Sequence, residues 1–236
     1  MSTEATRRAR DGVAAIRADQ VVQEALELVD AGGLESLTMR RLATSLGAHL
    51  PTIYRLFDNK DALIDEMAEA ILGRALSNAH TDNSDWMSRV RSLAAGLRAA
   101  LLSQRDGARI VGGNYAAKRN NLTYIDTLVG CMQDAGFARE RALWATSSVF
   151  CFVLGEALEQ QGASGGEVGT LAEVLRADEH PHLQASPAER LLDFDGRFAF
   201  GLELLLEGMR SQLKAEGVSR KKTAGARDRG RVRTRR

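Results

Sequence analysis

Polar, aromatic and basic side chains gather between positions 38 and 60 of the chain. Thr52, Tyr54 and Arg55 occur within four residues of one another, with Arg40 before them and Lys60 after. An arginine such as Arg40 can pair bidentately with the O6 and N7 atoms of guanine, or it can bind a phosphate. Such side chains on the outer surface of a short helix favour contact with double-stranded DNA.

Two short helices joined by a tight turn are predicted to position these groups. Thr38 is a good N-cap, because its hydroxyl can accept a hydrogen bond from an N–H of the first turn. Gly47 can end that helix in the left-handed conformation, and Pro51 suits the start of the next. The first helix has an apolar face at helical spacing, formed by Met39, Leu42, Ala43 and Leu46. The sequence therefore predicts helices over about 38–46 and 50–56, the helix-turn-helix arrangement whose second helix enters the major groove.

The second helix has an inner and an outer face. Ile53 and Phe57 are four residues apart and are predicted to face the core. Leu50, Pro51 and Thr52 lie at its start, where apolar groups can touch a thymine methyl. Arg55 points outward and can read a base. His49, in the turn, is interpreted as a surface residue near phosphate rather than as a switch.

Composition indicates an all-α protein with ordinary solubility. The 236 residues are 44% hydrophobic and 27% charged, and only three are proline. No stretch approaches the roughly 20 apolar residues of a membrane span, and no apolar signal segment follows the N-terminal arginines. We therefore expect a cytoplasmic protein without a membrane partner. Cys131 and Cys151 are isolated in apolar stretches and are predicted to be buried, reduced thiols.

The net charge of +1 conceals an uneven distribution. After Gly217 the chain has nine basic residues and one acid, Asp228, so this tail carries +8 and the remainder −7. DNA binding must therefore depend on a local basic patch, with or without the tail, rather than on bulk charge. The arginine-bearing first 18 residues are predicted to be a flexible arm, which can reach DNA or remain a solvated tail.

Helical periodicity divides the rest of the chain into two units. Residues 19–76 are predicted to form a helix-turn-helix domain with a fourth, linking helix that begins at Lys60. After a polar break, residues 84–215 form a larger helical domain, and residues 216–236 are expected to be disordered. Two of its helices, at 139–161 and from Pro187 to about Ala215, are apolar on more than one side. Paired with their copies in a homodimer, they would make a four-helix bundle.

At the residues T-M-R-R-L-A-T-S-L-G-A-H-L-P-T-I-Y-R-L-F-D-N-K the chain resembles the tetracycline-repressor (TetR) family of bacterial transcription regulators. Later stretches, among them L-L-S-Q-R-D-G-A-R-I-V-G-G-N and F-A-F-G-L-E-L-L-L-E-G-M, resemble the ligand-binding helices of the same family. The resemblance covers roughly Arg17 to Lys214. It implies a dimer on a pseudo-palindromic operator, with Arg40 on a base and Tyr54 and Lys60 on phosphate. Leu50, Arg55 and Leu56 depart from the family pattern, so the operator should differ.

The resemblance also implies a small-molecule effector that binds the body and releases the DNA. The implied lining residues are Leu76, Leu93, Leu97, Val111, Asn114, Cys151 and Glu159. Five of these are not ligands for a hard cation, and Cys151 replaces a family histidine. We therefore expect no magnesium–tetracycline chelate and no cofactor. A polyketide-like, aromatic or terpenoid effector suits the lining better.

Other functions are less well supported by the sequence. No phosphate-binding glycine loop, CxxC pair, HExxH or GxSxG motif indicates an enzyme. His180 and His182 flank Pro181, and we interpret them as part of a surface turn rather than a metal site. The alternative is a helical DNA-binding protein without an effector, acting as an architectural or constitutive regulator. The basic tail favours it, since the tail would add affinity that does not depend on sequence.

Overall fold

A computed structural model of the chain describes residues 16–79, 85–114, 116–163, 179–186 and 188–233, and all regular structure in these ranges is helical. The described residues form ten α-helices: α1 Ala18–Gly32, α2 Met39–Ser45, α3 Leu50–Leu56, α4 Lys60–Asn78, α5 Trp86–Leu102, α6 Gly107–Val111, α7 Arg119–Asp134, α8 Arg139–Gly162, α9 Pro181–Gln184 and α10 Phe194–Arg233. Short 3-10 turns at Leu34–Ser36 and Ala188–Leu191 join α1 to α2 and precede α10. The prediction of an all-α protein is confirmed.

The helices α1 to α3 form a small unit, here called the head, and α5 to α10 form the body. The linking helix α4 begins in the head and packs along α5 in the body. Asn59 caps α4 by accepting a hydrogen bond from the Ala62 N–H at 2.8 Å, and Asp85 caps α5. The Asn59 cap explains why the start predicted for the linking helix, Lys60, agrees with the structure.

One continuous apolar core runs through both units. The helices α4 and α5 approach each other closely at Gly96. A Cβ atom built there would lie 2.8 Å from the Ala75 carbonyl oxygen and 3.2 Å from the Ala79 nitrogen. Because any side chain at position 96 would push the helices apart, this glycine sets the packing of the linking helix on the body.

The helices α8 and α10 run antiparallel along the length of the body. Arg98 of α5 binds both Gln160, near the end of α8, and Asp195, near the start of α10, at 2.7 Å each. At the other extremity a Cβ on Gly136, just before α8, would lie 3.9 Å from Leu213. The end of α8 and the start of α10 therefore lie at one end of the body, and the start of α8 lies near Leu213 of α10 at the other end.

The structure corrects the predicted limits of the last helix. It begins at Phe194 rather than Pro187, because Asp193 caps the helix by accepting a hydrogen bond from the Gly196 N–H at 3.0 Å. It continues to Arg233 rather than ending near Ala215, where we expected disorder. Alanine, lysine and arginine, which favour helix, are frequent after Ser219. The sequence also predicts a short helix at 171–177; that segment and residues 1–15 of the predicted arm lie outside the described residues.

Two further expectations about the body need revision. Cys131 is buried as predicted, and burial raises the pKa of its thiol, but Cys151 is exposed on α8. By length and composition alone α8 could cross a membrane, contrary to the expectation that no segment could. Soluble core helices also satisfy this criterion, and the described residues place α8 between α5, α7 and α10.

Candidate nucleic-acid interface

The helix-turn-helix is built by local signals that the structure shows directly. Thr38 Oγ1 accepts a hydrogen bond from the Arg41 N–H at 3.1 Å and caps α2. Gly47 has φ +60°, and the next residue, Ala48, donates its N–H to the Ala43 carbonyl at 2.8 Å. Ile53 is fully buried, so α3 is fixed against the core by its inner face. The turn and this anchor orient the outer face of α3 toward solvent.

Most of the predicted DNA-contacting side chains are accessible on one surface. Pro51, Tyr54 and Arg55 are exposed on α3, and Tyr54 retains 46% of its accessible surface. Leu50 and Thr52, at the start of α3, are half-buried. Leu56 is also exposed, so the surface combines an arginine, a phenol and apolar groups. Such a mixture can contact both base edges and phosphates.

Arg40 and Arg55 are the arginines best placed to contact DNA. Both are exposed, and within the described ranges neither guanidinium has an ion-pair or hydrogen-bond partner. The neighbouring Arg41 instead turns toward the Ser36 carbonyl, 3.5 Å away. Since Arg40 and Arg55 need break no protein contact, each can pair with a base or phosphate without a loss elsewhere.

Lys60 is less free than the sequence suggests. It is half-buried at the first position of α4, and its Nζ donates to the Leu34 carbonyl at 3.4 Å. The contact is long for a charged hydrogen bond, so it is a weak restraint. Its phosphate-binding role remains a prediction.

The residues predicted to line an effector pocket do not form one continuous surface in the single chain. Leu93, Leu97 and Val111 are buried in the body core, and Leu76 is half-buried beside it. Asn114 is half-buried and donates to Asp65 at 3.0 Å. Cys151 and Glu159 are exposed on α8. In the parts of the chain described, no cluster of three or more His, Cys, Asp or Glu residues could hold a metal ion.

Gln104 forms a contact between head and body that sequence reasoning missed. The sequence predicts only a turn at 104–107, yet Gln104 is 1% exposed. Its Nε2 donates to the Leu26 carbonyl at 3.0 Å and to Asp30 at 2.6 Å, both on α1. Its Oε1 accepts from Arg74 of α4 at 3.3 Å, and its carbonyl accepts from Gln161 of α8 at 2.7 Å. One residue thus joins the head, the linking helix and the body.

The residues just after Gln104 continue this contact with the head. Asp106 adopts φ +58°, unusual for a residue other than glycine, and its carboxylate accepts the Leu34 N–H at 2.8 Å. Arg109 of α6 pairs with Asp106 at 3.1 Å and with Glu35 of the head. The start of α6 is therefore bonded to the 3-10 turn that precedes α2.

The residues that follow α6 bind the linking helix instead. Asn114 contacts Asp65, and Lys118 Nζ lies 2.7 Å from Glu66. The Glu69 carboxylate accepts the N–H groups of Asn120 and Asn121 at the start of α7. We call residues 104–121 the junction segment; Tyr115 is not described. A cavity of about 510 Å³ opens beside it, between α1 and α4.

Comparison with known proteins agrees with this arrangement in both units. Residues 21–67 match the family model for bacterial regulatory proteins of the tetR family. Residues 79–213 match the model for the tetracyclin repressor-like C-terminal domain. Together these matches cover more than half of the chain.

Individual proteins are similar over most of their length. The tetracycline repressor protein class C of Escherichia coli is 35% identical over 201 residues, which cover 82% of this chain and 90% of that protein. A possible TetR family regulator from Streptomyces coelicolor A3(2) is 40% identical, with TM-score 0.76, covering 83% and 99% of the two chains. ActR of Streptomyces coelicolor, solved in complex with actinorhodin, is 29% identical, with TM-score 0.74, covering 85% and 99%.

Replacing Arg40 should separate DNA reading from folding. Because its exposed guanidinium has no partner in the described structure, Arg40→Gln should leave the melting temperature unchanged. Loss of a base contact should weaken binding to a preferred duplex by about 1–3 kcal/mol and relax specificity at one position. Fluorescence anisotropy against a panel of single-base variants measures both effects. Arg139→Gln, an exposed arginine of the body, is the matched control and should change neither.

Proposed function

The chain belongs to the TetR family of bacterial regulatory proteins, and from this premise we propose a homodimeric repressor that binds a pseudo-palindromic operator and is released by a mostly apolar effector. It is a transcriptional regulator and not an enzyme. The observation that carries the proposal is the accessible surface formed by α3 and Arg40, on which neither Arg40 nor Arg55 has a partner among the described residues. A regulator must share a compartment with the DNA that it binds, so we place the protein in the cytoplasm.

Dimerisation is supported by an exposed apolar face on α8 and α10. Its large side chains, each at least 47% exposed, are Leu143, Trp144, Leu158, Phe200 and Leu204. Covering each stabilises an assembly by roughly 1.5–3 kcal/mol. The sum is of the same order as the cost of association, about 4–15 kcal/mol. A second copy contributes the same five side chains, which doubles the sum, so it can cover this face with net gain.

The pattern along α8 suits close contact with another helix. Trp144, Ser148, Cys151, Gly155 and Leu158 follow one another at alternating steps of four and three residues, and all five residues are exposed. This spacing is that of a packed helical seam. The three central residues are small, so a partner helix can approach closely between Trp144 and Leu158. The exposure of Cys151, unexpected from sequence, is consistent with a place on this seam.

Release by an effector is supported by the position of the junction segment. Its first part bonds to the head through Asp106 and Arg109, and its last part bonds to α4 through Lys118 and Asn120. The contacts are partly exposed and polar, each worth about 0.5–1.5 kcal/mol or less. A ligand that prefers a shifted α6 could therefore rearrange them within a typical coupling energy of about 1–3 kcal/mol.

The effector we propose is mostly apolar, of polyketide-like, aromatic or terpenoid type. Leu93, Leu97 and Val111, which the resemblance implies as effector-lining residues, have only hydrocarbon side chains, and these suit aromatic rings and aliphatic groups of a ligand. The sequence has four histidines, His49, His80, His180 and His182, and none is on the core helices of the body. ActR, a structural relative, binds actinorhodin in its crystal structure, which supports a ligand-binding role for the corresponding body here.

Changing Trp144 to a charged residue should separate the two subunits. Trp144→Glu places a carboxylate within the proposed interface, where it would lose hydration without a partner. Sedimentation velocity should show a monomer, and affinity for a palindromic duplex should fall. Leu122→Glu is the matched control, because Leu122 is 56% exposed on α7, away from this face, and should remain dimeric. A dimer in both variants would place the interface elsewhere.

Tetracycline with magnesium should not bind at micromolar concentration. The hard cation requires oxygen or imidazole ligands, and the corresponding positions are apolar. Quenching of intrinsic tryptophan fluorescence by tetracycline, with magnesium and then with a chelator, measures this directly. The class C tetracycline repressor serves as the positive control. Magnesium-dependent micromolar binding by this chain would contradict the proposed effector class.

A further inference from the structure

The basic tail is attached at the end of the body farthest from the head. Gln161, at the end of α8, bonds to Leu101 and Gln104 and so marks the side that meets the head. The start of α10 lies at that same side, since Arg98 binds both Gln160 and Asp195. The helix then runs away from the head until Leu213 reaches Gly136, before the start of α8.

The separation is large compared with the size of a DNA contact. From Asp195 to Leu213 a helix rises roughly 27 Å, at 1.5 Å per residue. The helix α10 continues beyond this point to Arg233, a further rise of roughly 30 Å. The chain that carries the tail charges therefore leads away from the head along the same helix.

A dimer that places two heads on one operator fixes the position of both tails. Its two-fold axis must pass between the two heads and also between the two bodies. The far ends of the two bodies therefore lie on the same side, opposite the operator. Two tails with +8 each would then add about 16 positive charges, attached to the bodies at the end opposite the operator. This geometry differs from the simple expectation that the tail strengthens binding to the same duplex.

The composition of the tail indicates which polyanion it can bind. Residues 217–236 contain seven arginines and two lysines, no aromatic residue, and only Val218 and Val232 as large apolar residues. Insertion into a membrane surface requires an apolar face with Trp, Phe or Leu, and stacking on single-stranded bases requires aromatic groups. Binding to duplex phosphates requires only positive charge.

We propose that the two basic tails bind a second DNA duplex, so that the protein bridges its operator to another segment of DNA. This inference rests on the proposed function, because the heads must hold the first duplex. Once the dimer is bound to a chromosome, neighbouring DNA is present at high effective concentration, and modest affinity of each tail suffices. The binding does not depend on sequence, because phosphate contacts carry no sequence information.

Bridging can be tested with two different duplexes and the full chain. A fluorescent duplex, selected by the protein from a randomised library, is mixed with protein and with beads that carry an unrelated duplex. Fluorescence retained on the beads measures bridging. The tail variant R220Q/K221Q/K222Q/R227Q/R229Q/R231Q/R233Q removes seven charges while keeping helix-compatible glutamines. The head variant R40Q/R55Q is its counterpart.

The two variants should fail in different ways. The tail variant should bind the selected duplex within about twofold of the full chain, with an unchanged salt slope, but retain no fluorescence on the beads. The head variant should lose the selected duplex and still bind the beads. If no duplex is selected at all, the proposed function fails before bridging is examined.

Three results would overturn the inference. Retention by the tail variant equal to that of the full chain would show that the tail has no part in bridging. A weaker, less salt-dependent interaction of the tail variant with the selected duplex would show that the tail turns back to the operator. Retention abolished by single-stranded RNA but not by competitor duplex would assign the tail to RNA.

Discussion

The buried side chain of Gln104 is the constraint on which the relation between head and body depends. A buried amide without partners would cost about 1–3 kcal/mol, so its bonds to Leu26, Asp30 and Arg74 are effectively obligatory. These bonds fix α1 and α4 relative to the turn that begins α6. Any rearrangement of α6 must therefore change the position of the head or break this set of bonds. The nearby ion pairs of Arg109 and Lys118 are weaker and can exchange partners.

The single chain has two poles with different chemistry. The head pole carries the arginines of the helix-turn-helix and the junction segment, and the far pole carries the attachment of the basic tail. Between them, α8 and α10 present core residues such as Val149 and Leu206 on one side and large exposed apolar residues on the other. This division explains why both helices are apolar around most of their circumference, and why α8 has the composition of a membrane span.

Local signals made the helix-turn-helix predictable from sequence. Thr38, Gly47 and Asn59 act on neighbouring backbone groups, so their effect does not depend on the rest of the fold. Gln104 was missed because its partners are 74 to 78 residues distant or lie on other helices, and an exposed turn would look the same in sequence. The exposure of Cys151, which the sequence predicts to be buried, likewise depends on how α8 packs against the other helices, and periodicity does not encode that packing.

Footprinting of the purified protein on the DNA around its own gene, at two salt concentrations, tests the central claim most directly. A dimer that reads DNA through α3 predicts two protected half-sites related by symmetry, with centres about one helical turn apart, roughly 34–36 Å. Protection should persist at the higher salt, because base contacts add to the phosphate contacts. Uniform protection that disappears at the higher salt would contradict a site-specific repressor at this locus and favour an architectural DNA-binding protein.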